Sequence, residues 1–454
     1  MIPPGLHDEI LKARAAIAGL SVFSSLKNHP LFRSLEALLE ALSVEAGAPP
    51  LNLVRLWAHC AETLARPYAG ELPARDRGAS FRSRIAFLTA ADDNALTRSL
   101  EAADRLPPAL LALAENDLSR LGRIAALDLR SLGAYAASLI AEAGLGESAA
   151  AIEREARALA EGPEDGALTE LFAGNAGWAA ALPRLGAHIR GHGAGELGLH
   201  SSFAWSAAEG LRPTLHPDPI TLADLSGYED QRSVVTANTL RFLAGKGANN
   251  LLLYGDRGTG KSATVKAVCN EYAPRGLRLV EVRKQDLPEL PVLLEALAPR
   301  ALRFVIFIDD LSFEGADDSF TGLKALLEGR VESRPDNVAI YATSNRRHLV
   351  KERLSDRPAG AAAGEVRAFD AMQEQFSLAD RFGITVVYAA PNQEEYLRIA
   401  CFIGRRRGIL ETGDEALFRD NALRWERWFN GRSPRTAAQY VEWVAGGAGF
   451  PWEI

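Results

Sequence analysis

The segment that most constrains this chain is a glycine-rich octapeptide near its middle, Gly255-Asp256-Arg257-Gly258-Thr259-Gly260-Lys261-Ser262. It fits the pattern G-x-x-x-x-G-K-[ST] without a mismatch. Glycines let the backbone fold tightly, so that its N–H groups point inward at phosphate oxygens. The lysine brings a positive charge to the β- and γ-phosphates, and the serine hydroxyl can ligate Mg²⁺. The octapeptide therefore predicts a loop that binds the phosphates of a nucleotide together with a magnesium ion.

The residues on either side place this loop between a strand and a helix. Residues 250–254 form a short apolar run that is typical of a buried strand, and residues 263–272 read as a helix with Val265 and Val268 on its inner face. The positive end of that helix's dipole would point at the same anion. Because a phosphate site requires strand, loop and helix in this order, we favour it over an ordinary glycine-rich turn.

Strand and helix signals divide the chain into three predicted regions. Residues 1–205 predict an all-helical N-terminal domain, in which the Gly/His-rich stretch 191–200 is either a loop or the start of a linker. Residues 211–390 alternate strand and helix signals, which predicts an α/β core with a five-stranded parallel sheet of the P-loop type. Residues 391–454 predict a helical lid. The five predicted strands are residues 250–255, 277–282, 303–309, 337–343 and 384–389.

Two carboxylates follow the third of these strands. Mg²⁺ bound to phosphates needs a carboxylate on a rigid strand end, and Asp309 is the candidate for that role. Asp310 can orient the attacking water or accept its proton, and Glu314 is a second candidate for the base with a longer reach. The structural alternative for the pair is a solvated Asp-Asp turn.

Three later polar residues extend the predicted site. Asn345 follows the next strand, which would put its amide beside Asp309 and the lytic water. Arg381 precedes the final strand, where it can reach a phosphate in a neighbouring subunit. Arg435 falls in the first turn of a lid helix capped by Ser433, where it can touch the γ-phosphate of its own subunit. Either arginine can equally form a surface salt bridge.

Taken together, these segments resemble AAA+ ATPases. Residues 255–262 match Walker A, residues 304–310 match Walker B, and Asn345 matches sensor 1. Arg435 looks like sensor 2, and Arg381 looks like the arginine finger that precedes the last strand in clamp loaders and replication initiators. The resemblance implies ATP and Mg²⁺ as ligands and a homo-oligomeric ring, since an arginine finger has little purpose in a monomer.

A second part of the resemblance concerns adenine and a narrower family. The segment LSGYE is similar to the AAA+ box that borders adenine, which assigns Gly227 and Tyr228 to nucleotide binding. The strings DDLSFE and YATSNRRHL look like a little-characterised bacterial family of AAA+ ATP-binding proteins, over residues 211–446. Walker B usually ends in Asp-Glu and here ends in Asp-Asp. Because Asp310 is one methylene shorter than glutamate, we expect either slow activation of water or a transfer of that role to Glu314.

Three functions stay open at this point. The first is a motor or switch ATPase that acts on an unknown macromolecular partner. The second is a nucleic-acid loader or remodeller, suggested by the basic clusters 346–348 and 405–407, although the second cluster also suits a helix C-terminus. The third is a phosphotransferase. The C-terminal position of the lid, the presence of Asn345 and the long helical N-terminal half argue against it.

Bulk properties narrow the setting. A formal net charge of −7 over 454 residues argues against a globally basic nucleic-acid binder. The three cysteines, Cys60, Cys269 and Cys401, lie far apart without metal-ligand spacing, which predicts buried thiols in a cytoplasmic protein. The N-terminal residues lack the pattern of a secretory signal, and no apolar run approaches membrane-spanning length, so no membrane association is expected.

Overall fold

The chain forms two compact units, Met1–His200 and Ser201–Ile454. The computed structural model describes residues 3–43, 49–66, 80–102, 105–161, 167–174, 177–311, 335–345, 381–410, 414–429, 431–447 and 450. Each unit is considered by itself.

Every regular element described in the first unit is a helix. Leucines three and four residues apart bury one face of the second helix, where Leu31, Leu35 and Leu38 are part of one continuous apolar core. Proline at the first helical turn starts several of these helices, because its fixed φ and missing N–H suit that position. The helices are α1 Pro4–Ala18, α2 Pro30–Ser43, α3 Pro50–Ala65, α4 Phe81–Ala91, α5 Ala95–Ala102, α6 Pro108–Ala125, α7 Leu129–Glu142, α8 Gly146–Ala160, α9 Ala167–Leu171, α10 Leu182–His192 and α11 Glu196–Leu199.

A buried carboxylate joins α6 to the chain that follows α1. Asp117 is 0% exposed and accepts hydrogen bonds from the backbone N–H groups of Ser21, Val22 and Phe23 at 2.7, 2.8 and 3.2 Å. Arg120 forms an ion pair with the same carboxylate at 2.8 Å. Since a carboxylate removed from water needs donors and a counter-charge, these partners are what allow Asp117 to be buried.

The second unit is built on one sheet with strand order β2-β1-β4-β5-β6-β3-β7. All neighbouring strands are parallel except β1 and β2. The α/β prediction is confirmed, and all five predicted strands are present. The strands are β1 Ser202–Ser206, β2 Gly210–Pro213, β3 Leu251–Gly255, β4 Leu277–Val282, β5 Arg303–Ile308, β6 Val338–Ser344 and β7 Ile384–Tyr388.

The prediction of five strands is wrong, because the described residues form a sheet of seven. The two additional strands form a hairpin that adds to the edge of the sheet, with β1 parallel to β4 and β2 antiparallel to β1. β1 falls at the end of residues 1–205, which were predicted to be all-helical, and β2 falls at the start of the predicted α/β core, residues 211–390. Both are short, and only Phe203 and Trp205 supply buried apolar side chains, so they lack the long apolar run that marked the other strands.

The α-helices in the described part of the second unit are α12 Glu229–Leu243, α13 Lys261–Tyr272, α14 Leu290–Leu297, α15 Gln393–Arg406, α16 Glu415–Trp428 and α17 Pro434–Ala445. The last three enclose their own apolar core around Tyr396, Trp425 and Tyr440. Side chains of Asn392 and Ser433 cap the starts of α15 and α17, which fixes where the chain turns into each helix.

Among the described helices, none by itself combines the length and the hydropathy that a membrane crossing needs. The bent pair Pro108–Ala125 and Leu129–Glu142 passes that test only when the two helices are counted together.

Candidate nucleotide site

The glycine loop lies between β3 and α13, at the carboxyl edge of the sheet. Gly255 has φ of 141°, and a Cβ there would lie 2.1 Å from the carbonyl oxygen of Tyr388. Gly258 has φ of 76°, and a Cβ there would lie 2.9 Å from Ser433 Oγ. Both positions therefore demand glycine, for backbone conformation and for space. The loop is held between strand β7 on one side and the start of helix α17 on the other.

Lys261 folds back over the loop that precedes it. Its Nζ donates hydrogen bonds to the carbonyl oxygens of Asp256 at 2.7 Å and Gly255 at 3.1 Å, and the side chain is only 5% exposed. Burial lowers the pKa of Lys261 from 10.5 to about 8, against the opposing pull of Asp256, Asp309 and Asp310. The ammonium group is thus a desolvated cation, which an incoming phosphate oxygen would stabilise.

Asp256, predicted to contact the nucleotide, turns its side chain elsewhere. Its backbone N–H donates to Tyr388 O at 2.9 Å, and its Oδ2 accepts from the backbone N–H of Ala390 at 2.8 Å. The hydroxyl of Thr259 donates to Asp256 O at 2.8 Å, and Arg257 is exposed. The side chain of Asp256 therefore joins the loop to the chain that leads into α15.

Ser262 and Asp309 meet at the predicted magnesium position. Ser262 Oγ donates to Asp309 Oδ1 at 2.6 Å, although β3 and β5, the strands that precede these residues, are separated in the sheet by β6. A hydroxyl and a carboxylate oxygen suit Mg²⁺, which takes one or two carboxylates and completes its shell with phosphates and water. The described residues contain no group of three or more His, Cys, Asp or Glu placed to hold a metal by themselves. The pair fits a metal that arrives with a nucleotide.

Asp310 and Asn345 also meet at this edge. Asn345 Nδ2 donates to Asp310 Oδ1 at 2.6 Å, across the neighbouring strands β5 and β6. Asp310 is exposed and has φ of 51°, a left-handed conformation that few residues other than glycine adopt. Its carboxylate is accessible to water. The alternative base, Glu314, lies outside the described residues.

The two predicted arginines occupy opposite edges of the sheet. The backbone N–H of Arg435 donates to Gly258 O at 3.2 Å, which places this exposed residue beside the phosphate loop. Arg381 lies ahead of β7, at the amino ends of the parallel strands. The length of that strand separates it from its own loop, roughly 15 Å at about 3.3 Å per residue.

Gly227 and Tyr228 lie between the sheet and α15. Gly227 has φ of 78°, and a Cβ there would lie 3.0 Å from Ile399 Cδ1. The Tyr228 hydroxyl donates to Ala389 O at 2.7 Å, and its ring stacks on Tyr388 with centroids 5.1 Å apart. The tyrosine therefore contacts the same turn after β7 that Asp256 does.

Residues 199–448, more than half of the chain, match a family described as "Protein of unknown function (DUF815)". The chain belongs to this family. A comparison with curated proteins finds no match.

Solved structures similar to this DUF815 chain include the Thermotoga maritima RuvB Holliday junction branch migration motor. That match has 16% sequence identity and a TM-score of 0.33, and it covers 50% of this chain and 65% of the RuvB chain. A point mutant of the same RuvB gives 17% identity, the same TM-score and the same coverage. The chain thus spans just under two thirds of the structures it matches, at a likeness too weak to carry an argument about activity.

One residue of this DUF815 site was missed in the sequence. Thr343 Oγ1 donates to Asp309 Oδ1 at 2.5 Å and accepts from the backbone N–H of Asp310 at 2.9 Å. A threonine near the end of a strand reads as an ordinary β-former. The available signal was its spacing, two residues before Asn345, which puts both side chains on the same side of the strand.

Proposed function

We propose that this chain is an AAA+ ATPase that binds Mg·ATP at residues 255–262 and hydrolyses it to ADP and phosphate. The observation that carries the proposal is the line of polar groups along the carboxyl edge of the sheet. Ser262 at the end of the loop contacts Asp309 at 2.6 Å, and Asn345 contacts Asp310 at 2.6 Å. Four residues from three separate strands or loops converge where a phosphate loop needs a metal ligand and a base.

Each residue has a distinct role in this proposal. Loop N–H groups and Lys261 bind the phosphates, while Ser262 and Asp309 hold Mg²⁺, which neutralises charge on the phosphate oxygens. Asp310 orients the attacking water and accepts its proton, and Asn345 orients the Asp310 carboxylate. Glu314 is the alternative base. Gly227 and Tyr228 are proposed to border adenine.

Arg381 is the basis for a proposed oligomer. It lies at the edge of the sheet opposite to its own phosphate loop, so the nucleotide that we propose it contacts is bound by another copy of the chain. Arg435, beside Gly258, is proposed to contact the γ-phosphate within its own subunit. A ring of such subunits in the cytoplasm, with ATP binding between neighbours and the C-terminal helices moving during hydrolysis, would act on an unknown protein partner.

Pairing of the basic cluster 405–407 weighs against the nucleic-acid alternative. Arg405 forms an ion pair with Glu415, Arg406 with Asp224, and Arg407 with Glu442. Arg405 and Arg406 lie in the last turn of α15, where positive charge suits the helix C-terminus, so the cluster has a structural role that needs no nucleic acid. The other cluster, residues 346–348, lies outside the described residues.

Calorimetry with Mg·ATP tests the proposal on the full chain. Wild type is expected to bind, and Lys261→Met, which keeps the buried stem and removes the charge, is expected to lose about 100-fold in affinity, or ~2.7 kcal/mol. Lys266→Met, on the same helix, is the matched control and should bind as wild type does. Folded wild type that takes up no Mg·ATP would contradict the proposal.

Measurements of phosphate release and of oligomeric state test whether the chain hydrolyses ATP and whether it forms a ring. A phosphate-release assay separates an ATPase from a phosphotransferase, which would consume ATP without releasing phosphate into water. Gel filtration with a non-hydrolysable ATP analogue, on wild type and Arg381→Ala, addresses the ring. A monomer under all conditions, with the variant as active as wild type, would remove the oligomer from the proposal.

A further inference from the structure

The end of strand β6 organises the turn that carries both carboxylates. Thr343 contacts three consecutive residues of that turn. Its Oγ1 donates to Asp309 Oδ1 at 2.5 Å and accepts from Asp310 N–H at 2.9 Å, and its carbonyl oxygen accepts from Leu311 N–H at 2.7 Å. The residue is only 1% exposed, so these partners replace water completely.

The first of these contacts fixes the metal ligand. Asp309 Oδ1 receives the hydroxyl of Thr343 from β6 and the hydroxyl of Ser262 from the phosphate loop. Two hydroxyls that donate to one oxygen hold the carboxylate in a single orientation. Partners that orient a metal-binding carboxylate in this way raise the affinity of a site although they do not touch the metal.

The other two contacts fix the base. Asp310 has φ of 51°, and a non-glycine residue keeps such a backbone only where its surroundings hold it. Thr343 accepts hydrogen bonds from the N–H groups of Asp310 and Leu311, which belong to the peptide groups on either side of the Asp310 Cα. In this conformation the Asp310 carboxylate reaches Asn345, two residues beyond Thr343.

We propose that Thr343 is a positioning residue for the magnesium ion and the attacking water. Its hydroxyl sets the affinity for Mg²⁺ and the rate of turnover, and it adds nothing to the affinity for nucleotide without metal. This inference rests on the proposed function. The competing interpretation is a β-branched strand residue that only fills the core. Valine would serve that role equally well, because it is β-branched like threonine and has a methyl group in place of the hydroxyl.

The test compares Thr343→Val with Thr343→Ser in the full-length protein. Calorimetry with a non-hydrolysable ATP analogue is run in EDTA and across a Mg²⁺ titration, and phosphate release gives kcat. Thr343→Val should leave binding in EDTA unchanged, raise the half-saturating Mg²⁺ concentration about 10-fold or more, and lower kcat. Thr343→Ser, which keeps the hydroxyl, should restore both values close to wild type.

Two outcomes would overturn the inference. One is a Thr343→Val variant with the Mg²⁺ dependence of wild type, and the other is a Thr343→Ser variant as impaired as Thr343→Val. If the valine variant does not fold, Thr343→Ser against Thr343→Ala isolates the hydroxyl in the same way. Wild type that fails to bind Mg·ATP would defeat the proposed function itself, which distinguishes that failure from a Thr343 that has no effect.

Discussion

Asp117 in the helical unit and Asp309 in the sheet unit both accept hydrogen bonds from residues far away in the chain. They differ in their exposure to solvent. Asp117 is fully buried, with three backbone N–H groups and Arg120 around it. Asp309 is exposed, and its Oδ1 accepts from the hydroxyls of Ser262 and Thr343 and from the backbone N–H of Asp310.

The difference separates a structural carboxylate from one that can take a ligand. Around Asp117 the donors close the shell, so the charge stabilises the unit and is inaccessible to anything else. At Asp309 and Asp310 the protein fixes the orientation of the carboxylates and leaves them facing solvent. We therefore expect substitutions in the first cluster to change stability and substitutions in the second to change chemistry.

The largest effect is expected for Asp117→Ala. Removing one partner of a buried, hydrogen-bonded charge pair leaves three N–H groups and Arg120 without an acceptor, which should lower the free energy of unfolding by about 3–5 kcal/mol. Urea denaturation measures this. Asp8→Ala is the control in the same unit, because Asp8 forms an exposed ion pair with Lys12. Equal stability of the two variants would erase the distinction drawn here.

Asp310→Asn should have the converse effect. The substitution keeps the size of the side chain at an exposed position, so the free energy of unfolding should change by no more than about 0.5 kcal/mol. Phosphate release should fall about 100-fold, since the substitution removes the proposed general base and leaves the proposed ATP-binding residues intact. Turnover at the wild-type rate would transfer the role of base to Glu314.

A smaller effect is expected from pH. The pKa of Lys261 is about 8 in the free protein because burial disfavours its charge. A bound triphosphate favours the protonated form and raises that pKa, so binding takes up a proton above pH 8. Affinity should be highest below pH 8 and fall by up to about 10-fold for each pH unit above it.

Calorimetry of nucleotide binding in buffers of different ionisation enthalpy measures this proton uptake directly. Lys261→Met should abolish the uptake. Affinity that rises between pH 8 and 9 would contradict the assigned direction of the shift.

The smallest effect is expected for Arg407→Ala. Arg407 and Glu442 form an ion pair in which each side chain is 59% exposed, and solvent screens such pairs. A double-mutant cycle with Glu442→Ala should give a coupling energy of about 0.2–1 kcal/mol. A coupling energy as large as the loss expected for Asp117→Ala, about 3–5 kcal/mol, would mean that solvent exposure does not distinguish weak charge pairs from strong ones.

The sequence predicted those parts of the fold that leave a local pattern. Strands β3, β5 and β6 each carry an apolar run that is buried on both faces. Strands β4 and β7 are rich in β-branched and other apolar residues, and all five strands were predicted. The hairpin of β1 and β2 was missed because β2 has only four residues, Gly210–Pro213, and β1 owes its place to pairing with β4. Such pairing is a tertiary event that one short segment does not encode.

The same division applies to the site. Fixed spacing identified the phosphate loop, and position at strand ends identified Asp309, Asp310 and Asn345. The role of Thr343 depends on β6 lying directly beside β5, which the chain order of the strands alone does not establish. The sequence did not predict the contact of the Asp256 side chain for a similar reason, since its partner, Ala390, lies 134 residues away.

Asp256 links the phosphate loop to the C-terminal helices by hydrogen bonds. Its backbone N–H and its carboxylate form hydrogen bonds with Tyr388 and Ala390, in the short segment that leads from β7 to α15. We therefore expect a displacement of the loop to shift the start of that helix.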